Sequence, residues 1–184
     1  PLWLELDGLR VVHACWCKPS MDLIRKSWGE EGLTTEFLVQ STNPEHPLFE
    51  AVEDVLKGKE LALPDGVTFH DKDGHLRKKL RVKWYESPER QTYHTYALQS
   101  GAEFPSLPVP AALRQQIDPY PPDEPPVFFG HYWLHAESPA PLARNVACLD
   151  YSVAKGGLLC AYRWQGEQEL TAERFVSVRS FRPG

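Results

Sequence analysis

Apolar positions along this chain follow two rhythms. Short alternating or continuous apolar runs occupy both ends, and apolar residues three and four apart mark the middle. "LWLEL" and "LRVV" flank Asp7-Gly8, a dipeptide suited to a type I′ turn, and predict a tight hairpin. Next, "MDLIRKSW" predicts a helix with Ser20 as its N-cap and Gly29 as its stop, and "TEFLVQ" a short second one. "PLFEAVEDVLKG" is the strongest helical segment, with Leu48, Phe49, Val52, Val55 and Leu56 on one face and Gly58 at its end. "VTFHDKDGHLRKKLRVKWYE" predicts a second hairpin around Asp73-Gly74, and "TYHTYALQ" a short helix. Prolines crowd residues 104–126, which read as an irregular connector. The last third predicts strands over "VFF", "NVACLDYS", "GLLCAYRW" and "RFVSVRS". Strand-rich ends around a helical middle define an α+β protein.

Composition narrows the function classes. With 184 residues, 42% of them hydrophobic, the chain suits one domain with a substantial core. A net charge of −5 gives no general reason to expect nucleic-acid or membrane binding. No apolar run approaches the roughly 20 residues of a membrane helix, and no secretory signal precedes the first strand. Of the four cysteines, Cys15, Cys17, Cys148 and Cys160, three lie in apolar strand-like runs, which reads as reduced thiols in a cytoplasmic protein. The chain opens inside a strand without an initiator methionine, the expectation for part of a longer protein.

Candidate chemistry concentrates at two strand exits. "LRVVHAC" delivers His13 and "PVFFGHYWL" delivers His131, each from an apolar strand into a small-residue context. Two neutral imidazoles at adjacent strand ends suit a divalent metal; a hydrogen-bonded core histidine is the plainer reading of each. His46, His70, His75 and His94 read as surface residues. His135 follows His131 at helical zinc-pair spacing but lacks that motif's glutamate. Cys15-X-Cys17 beside His13 offers an alternative, a structural zinc module, although no second close pair completes four ligands.

The row "LRKKLRVK" predicts a strand over residues 76–85. Leu76, Leu80, Val82 and Trp84 take one face, interrupted by Lys78, and Arg77, Lys79, Arg81 and Lys83 take the other. Like charges about 7 Å apart call for solvent or anions, so the row is either a solvated outer face or a phosphate-binding wall. Gly156-Gly157 lacks the residues of a nucleotide loop, and no nucleophile elbow occurs.

Taken together, "PLWLELDGLRVVHACW", "FFGHYWL" and "ACLDYSVAKGGLLCAYRW" resemble the C-terminal half of bacterial calcineurin-like metallophosphoesterases. The nearest branch is that of the diadenosine-tetraphosphatase and serine/threonine-phosphatase-like proteins. His13-Ala14 and Gly130-His131 match two ligand positions for one metal, and residues of roughly 40–125 resemble the branch's insert. The family's Gly-Asp-X-His-Gly, Gly-Asp-X-X-Asp-Arg and Gly-Asn-His motifs have no counterpart here: the chain contains no Gly-Asp dipeptide, and its only asparagines are Asn43 and Asn145. The resemblance therefore implies half of a β-sandwich flanked by helices, whose motif-bearing N-terminal half is a separate segment.

It also implies a hydrolase using two divalent ions (manganese, iron, nickel or zinc), at most one of them held by this chain through His13 and His131. The implied reaction is direct attack of a metal-activated hydroxide on phosphorus. Substrates would be a phosphorylated small molecule, a dinucleoside polyphosphate or a phosphoprotein. From the basic row, Arg81 or Arg77 is the candidate phosphate clamp. This half alone is expected to be inactive. The competing expectation is a non-catalytic domain that keeps the fold and binds an anionic partner.

Overall fold

The computed structural model describes residues 1–28, 33–71, 74–98 and 103–181. It is an α+β protein. The chain runs through β1 (Trp3–Leu6), β2 (Leu9–Val12), α1 (Lys18–Trp28), α2 (Thr35–Thr42) and α3 (Pro47–Lys57). It continues through β3 (Glu60–Ala62), β4 (Phe69–His70), β5 (Leu76–Arg77), β6 (Lys79–Arg81), α4 (Tyr93–Tyr96) and α5 (Ala111–Arg114). β7 (Val127–Phe129), β8 (Val146–Cys148), β9 (Asp150–Tyr151), β10 (Leu158–Tyr162) and β11 (Phe175–Arg179) complete it.

A four-stranded sheet in the order β1-β2-β7-β8 organises the molecule. β1 and β2 form the antiparallel hairpin around Gly8 (φ 78°), whereas β2, β7 and β8 run parallel. The continuous apolar reading of β7 follows from burial on both faces, as in other parallel sheets. Val127 and Phe129 point with Val146 and Cys148 into a core shared with Met21 and Ile24 of α1 and Leu48, Ala51 and Val55 of α3. Phe128 and Ala147 point the other way, toward Tyr162 and Phe175 of a second sheet, β11-β10-β9. Helices cover one side of the main sheet and a smaller antiparallel sheet covers the other.

Local signals explain the helices. Thr34 caps α2 by accepting the Phe37 N–H, and His46 caps α3 through Nδ1, followed by Pro47 at the first helical position. Ser20 is not an N-cap: α1 starts at Lys18, so Ser20 lies inside its first turn, where its hydroxyl donates to Asp54 at 2.8 Å. Gly29 and Asp73, expected as helix stop and turn residue, lie outside the described residues.

The single strand expected over residues 76–85 is corrected. β5 pairs with β4, and β6 pairs with β3, so the chain changes partner at Lys78, whose carbonyl accepts the Leu63 N–H. Lys78 is the residue that broke the apolar alternation. Beyond β6, Val82 forms an isolated bridge to Ala97. Leu61, Leu80, Val82, Tyr93, Tyr96 and Val109 build a second small core around these ribbons, while α3 packs with the main sheet.

Candidate functional site

Three parallel strands end side by side, and each delivers one polar side chain. His13 follows β2, His131 follows β7 after Gly130, and Asp150 follows β8 after Leu149. The ladder extends past the strand ends: Gly130 N donates to the His13 carbonyl at 2.9 Å, and Leu149 N donates to the Phe129 carbonyl at 2.7 Å. All three residues line one open cavity of about 300 Å³ with Val11, Phe128 and Phe129 in its wall. Placement at the carboxyl ends of parallel strands is where open α/β sheets characteristically hold ligands.

The imidazoles meet although 118 positions separate them. His13 Nε2 lies 3.3 Å from His131 Nδ1, with ring centroids 5.1 Å apart and planes tilted by 58°. In that contact one ring nitrogen carries the proton and the other accepts it. The same separation suits joint ligation: two metal–nitrogen bonds of 2.0–2.1 Å spanning 3.3 Å meet at about 105°, near the tetrahedral angle.

The backbone carrying His131 is strained. His131 has φ 75° and Trp133 has φ 54°, left-handed values that cost non-glycine residues free energy unless surrounding contacts impose them. Asp150 supplies those contacts. Its Oδ2 accepts the Trp133 N–H at 3.3 Å, its Oδ1 accepts the Ser152 N–H at 3.2 Å, and its carbonyl accepts the Leu134 N–H at 3.0 Å. Ser152 Oγ donates in turn to the Leu134 carbonyl. Behind His131, the half-buried Tyr132 ring packs edge-on against Phe129, and its buried hydroxyl reaches Gly58 at the end of α3. Burial raises the Tyr132 phenol well above its usual range.

Sequence reasoning did not single out Asp150. The signal was the same one that marks the histidines, a polar residue delivered by the apolar run "VACL".

Arg81 is not brought to this cavity. It stands in the β3–β6 ribbon with Nε 3.7 Å from Glu60, and Arg77 pairs with Asp71 at 2.7 Å in the neighbouring ribbon. Cys15 is buried, and all four cysteines are free. Cys17, just before α1, has a thiol lowered to about 6, chiefly by a hydrogen bond from Cys15 and further by Ser20, against the opposing effects of burial and Asp54. Among the described residues no group of three or more His, Cys, Asp or Glu side chains is arranged to hold a metal ion. Neither the Cys15, Cys17 and His13 set nor the strand-end set therefore forms a closed site.

The fold and site thus define an α+β protein with paired imidazoles at the ends of parallel strands. No protein-family model, characterised protein or solved structure matches this chain. No helix among the described residues is long and apolar enough to cross a membrane.

Proposed function

We propose that this chain supplies one half of a metal-dependent phosphoesterase site, with His13 and His131 as two ligands of a single divalent ion. The observation that carries the reading is the 3.3 Å approach of His13 Nε2 and His131 Nδ1. The resemblance of "VVHAC", "FFGHYW" and "LDYSVAKGG" to calcineurin-like metallophosphoesterases leads to the same two residues. A divalent ion there would act as a Lewis acid on a phosphoryl oxygen. The chain's own residues orient the two imidazoles: the extended ladder from Gly130 to His13 fixes one, and the Asp150 carboxylate holds the loop of the other. Contacts that fix the orientation of metal-ligating histidines commonly change metal affinity 10–100-fold when removed.

Two neutral imidazoles bind divalent cations weakly, so the remaining ligands come, on this reading, from a segment carrying the Gly-Asp and Gly-Asn-His motifs. Substrates are then phosphoesters. The basic row does not bring a phosphate clamp to this site, since Arg77 and Arg81 stand beside Asp71 and Glu60 in the ribbons.

Titration of zinc into the metal-free chain, followed by imidazole NMR, tests the assignment. The His13 and His131 ring signals should move together, and His131→Ala should abolish the response at His13. Movement of the other histidines with these two unchanged would overturn it.

A further inference from the structure

A second cavity, of about 370 Å³, is walled in part by residues that follow those of the strand-end site along the chain. It is lined by the next residues of the same two segments: His135, Ala136 and Glu137 after His131, and Tyr151 after Asp150. Its remaining wall is the turn between β9 and β10, with Lys155, Gly156 and Gly157, and Arg179 at the end of β11. In size it lies within the range of small-ligand pockets.

The turn is tightly specified. Ser152 and Gly156 are left-handed (φ 60° and 81°), and a Cβ on Gly157 would lie 2.0 Å from the Tyr151 carbonyl oxygen. Lys155 lies beside Trp133, with Nζ 5.1 Å from the ring centroid. That contact is a cation–π interaction, which holds the ammonium without neutralising it.

Two cations converge on this cavity. In a chain of net charge −5, cations elsewhere commonly stand beside carboxylates, as Lys59 does with Asp54 and Arg174 with Glu167. Neither Lys155 nor Arg179 has a carboxylate within 4.0 Å among the described residues, although both line one concavity with His135. Glu137 is the single acidic side chain in the wall. Like charges on a concave surface repel each other and focus potential into it, and a doubly charged oxyanion relieves both effects. Arginine adds a fork that matches phosphate oxygens bidentately.

We propose that the cavity walled by His135, Lys155, the Gly156-Gly157 turn and Arg179 binds a phosphate group. Because its wall continues along the chain from Asp150 and His131, it would receive a further phosphate of a substrate whose scissile group lies at the imidazoles. The preferred substrates are then phosphoesters that carry additional phosphate, rather than simple monoesters. The substrate role rests on the phosphoesterase reading; the anion site itself rests on the cavity and its cations.

Calorimetric titration of inorganic pyrophosphate into the metal-free chain separates the two. The unsubstituted chain should bind it, and Lys155→Gln with Arg179→Gln should weaken binding at least tenfold. Both side chains are exposed, so the fold should survive by circular dichroism. His13→Ala should leave pyrophosphate affinity unchanged while removing zinc binding. Equal affinity in the doubly substituted chain, or no binding by the unsubstituted chain up to about 10 mM, would overturn the subsite. Loss of pyrophosphate binding in His13→Ala alone would place the anion at the imidazoles, overturning the subsite and leaving the metal assignment intact.

Discussion

The Asp150 carboxylate accepts the backbone N–H of Trp133, two residues beyond His131, at 3.3 Å. A side chain at the exit of β8 thereby holds the left-handed loop that aims the imidazole from β7. Asp150→Asn keeps the shape but turns one acceptor into an amide donor facing an N–H. Hydrogen bonds to charged groups contribute about 1.5–3 kcal/mol, so the substitution should cost about 2 kcal/mol. Urea unfolding measures that cost. Faster amide exchange at Trp133 and Ser152 than in α3 would locate it, and uniform exchange would argue against the clamp.

Gly58 and Tyr132 form a tight contact between α3 and the same loop. Gly58 has φ 96°, and a Cβ there would lie 2.0 Å from the Tyr132 hydroxyl. Gly58→Ala combines backbone strain with a buried clash and should destabilise the chain by about 3 kcal/mol or more. The Tyr132 hydroxyl has no hydrogen-bond partner among the described residues, so Tyr132→Phe alone should be near neutral or stabilising. The double variant should recover part of the loss, because the nearest clashing atom is gone while φ stays strained. Additive effects in the thermal unfolding of all three variants would contradict the contact.

What could be read from the sequence depended on whether the signal was local. His13 and His131 stood out because apolar runs of β-forming residues ended on them. Asp150 obeys the same rule, yet a carboxylate after a strand is too common to mark a site unaided. That β2 pairs with β7 was not legible, because parallel pairing has no turn to announce it and Arg10 meets Val127 across the whole intervening chain. The basic row misled for an instructive reason. Alternation is a property of one continuous strand, and Lys78 on the apolar face was the sign that the strand ended there. Once β5 and β6 found different partners, Arg77 and Arg81 separated and each met an acid of its own ribbon.

Cys17 should be the most acid-shifted thiol. Its value of about 6, against an ordinary 9.0, means that the thiolate predominates above pH 6 and is lost as pH falls through it. Iodoacetamide labelling of Cys17, followed by mass spectrometry, should therefore show a half-maximal rate near pH 6, slowed overall by partial burial. Cys148 and Cys160 are raised by burial, to about 12 and about 11, and should label appreciably only at much higher pH. Cys15→Ala should move the Cys17 midpoint upward, since it removes the donor whose hydrogen bond is the largest cause of the lowering. A midpoint near 9 in the unsubstituted chain would show that the two thiols do not hydrogen-bond.

His13 and His131 provide two neutral donors, and no third His, Cys, Asp or Glu joins them in a metal-holding group among the described residues. Two-metal phosphoester hydrolysis needs paired cations about 3.5–4 Å apart, which a carboxylate normally bridges. The 184-residue chain with manganese should therefore hydrolyse p-nitrophenyl phosphate and a dinucleoside tetraphosphate no faster than buffer. Adding a polypeptide that carries the Gly-Asp and Gly-Asn-His motifs, fused or in trans, should produce metal-dependent hydrolysis, and His131→Ala should remove most of it. Asp150→Asn, which loosens the His131 loop without deleting a ligand, should lower activity about 10–100-fold and be partly rescued by higher metal concentration. Rapid metal-dependent turnover by the chain alone would mean that the ligands lie elsewhere in the molecule.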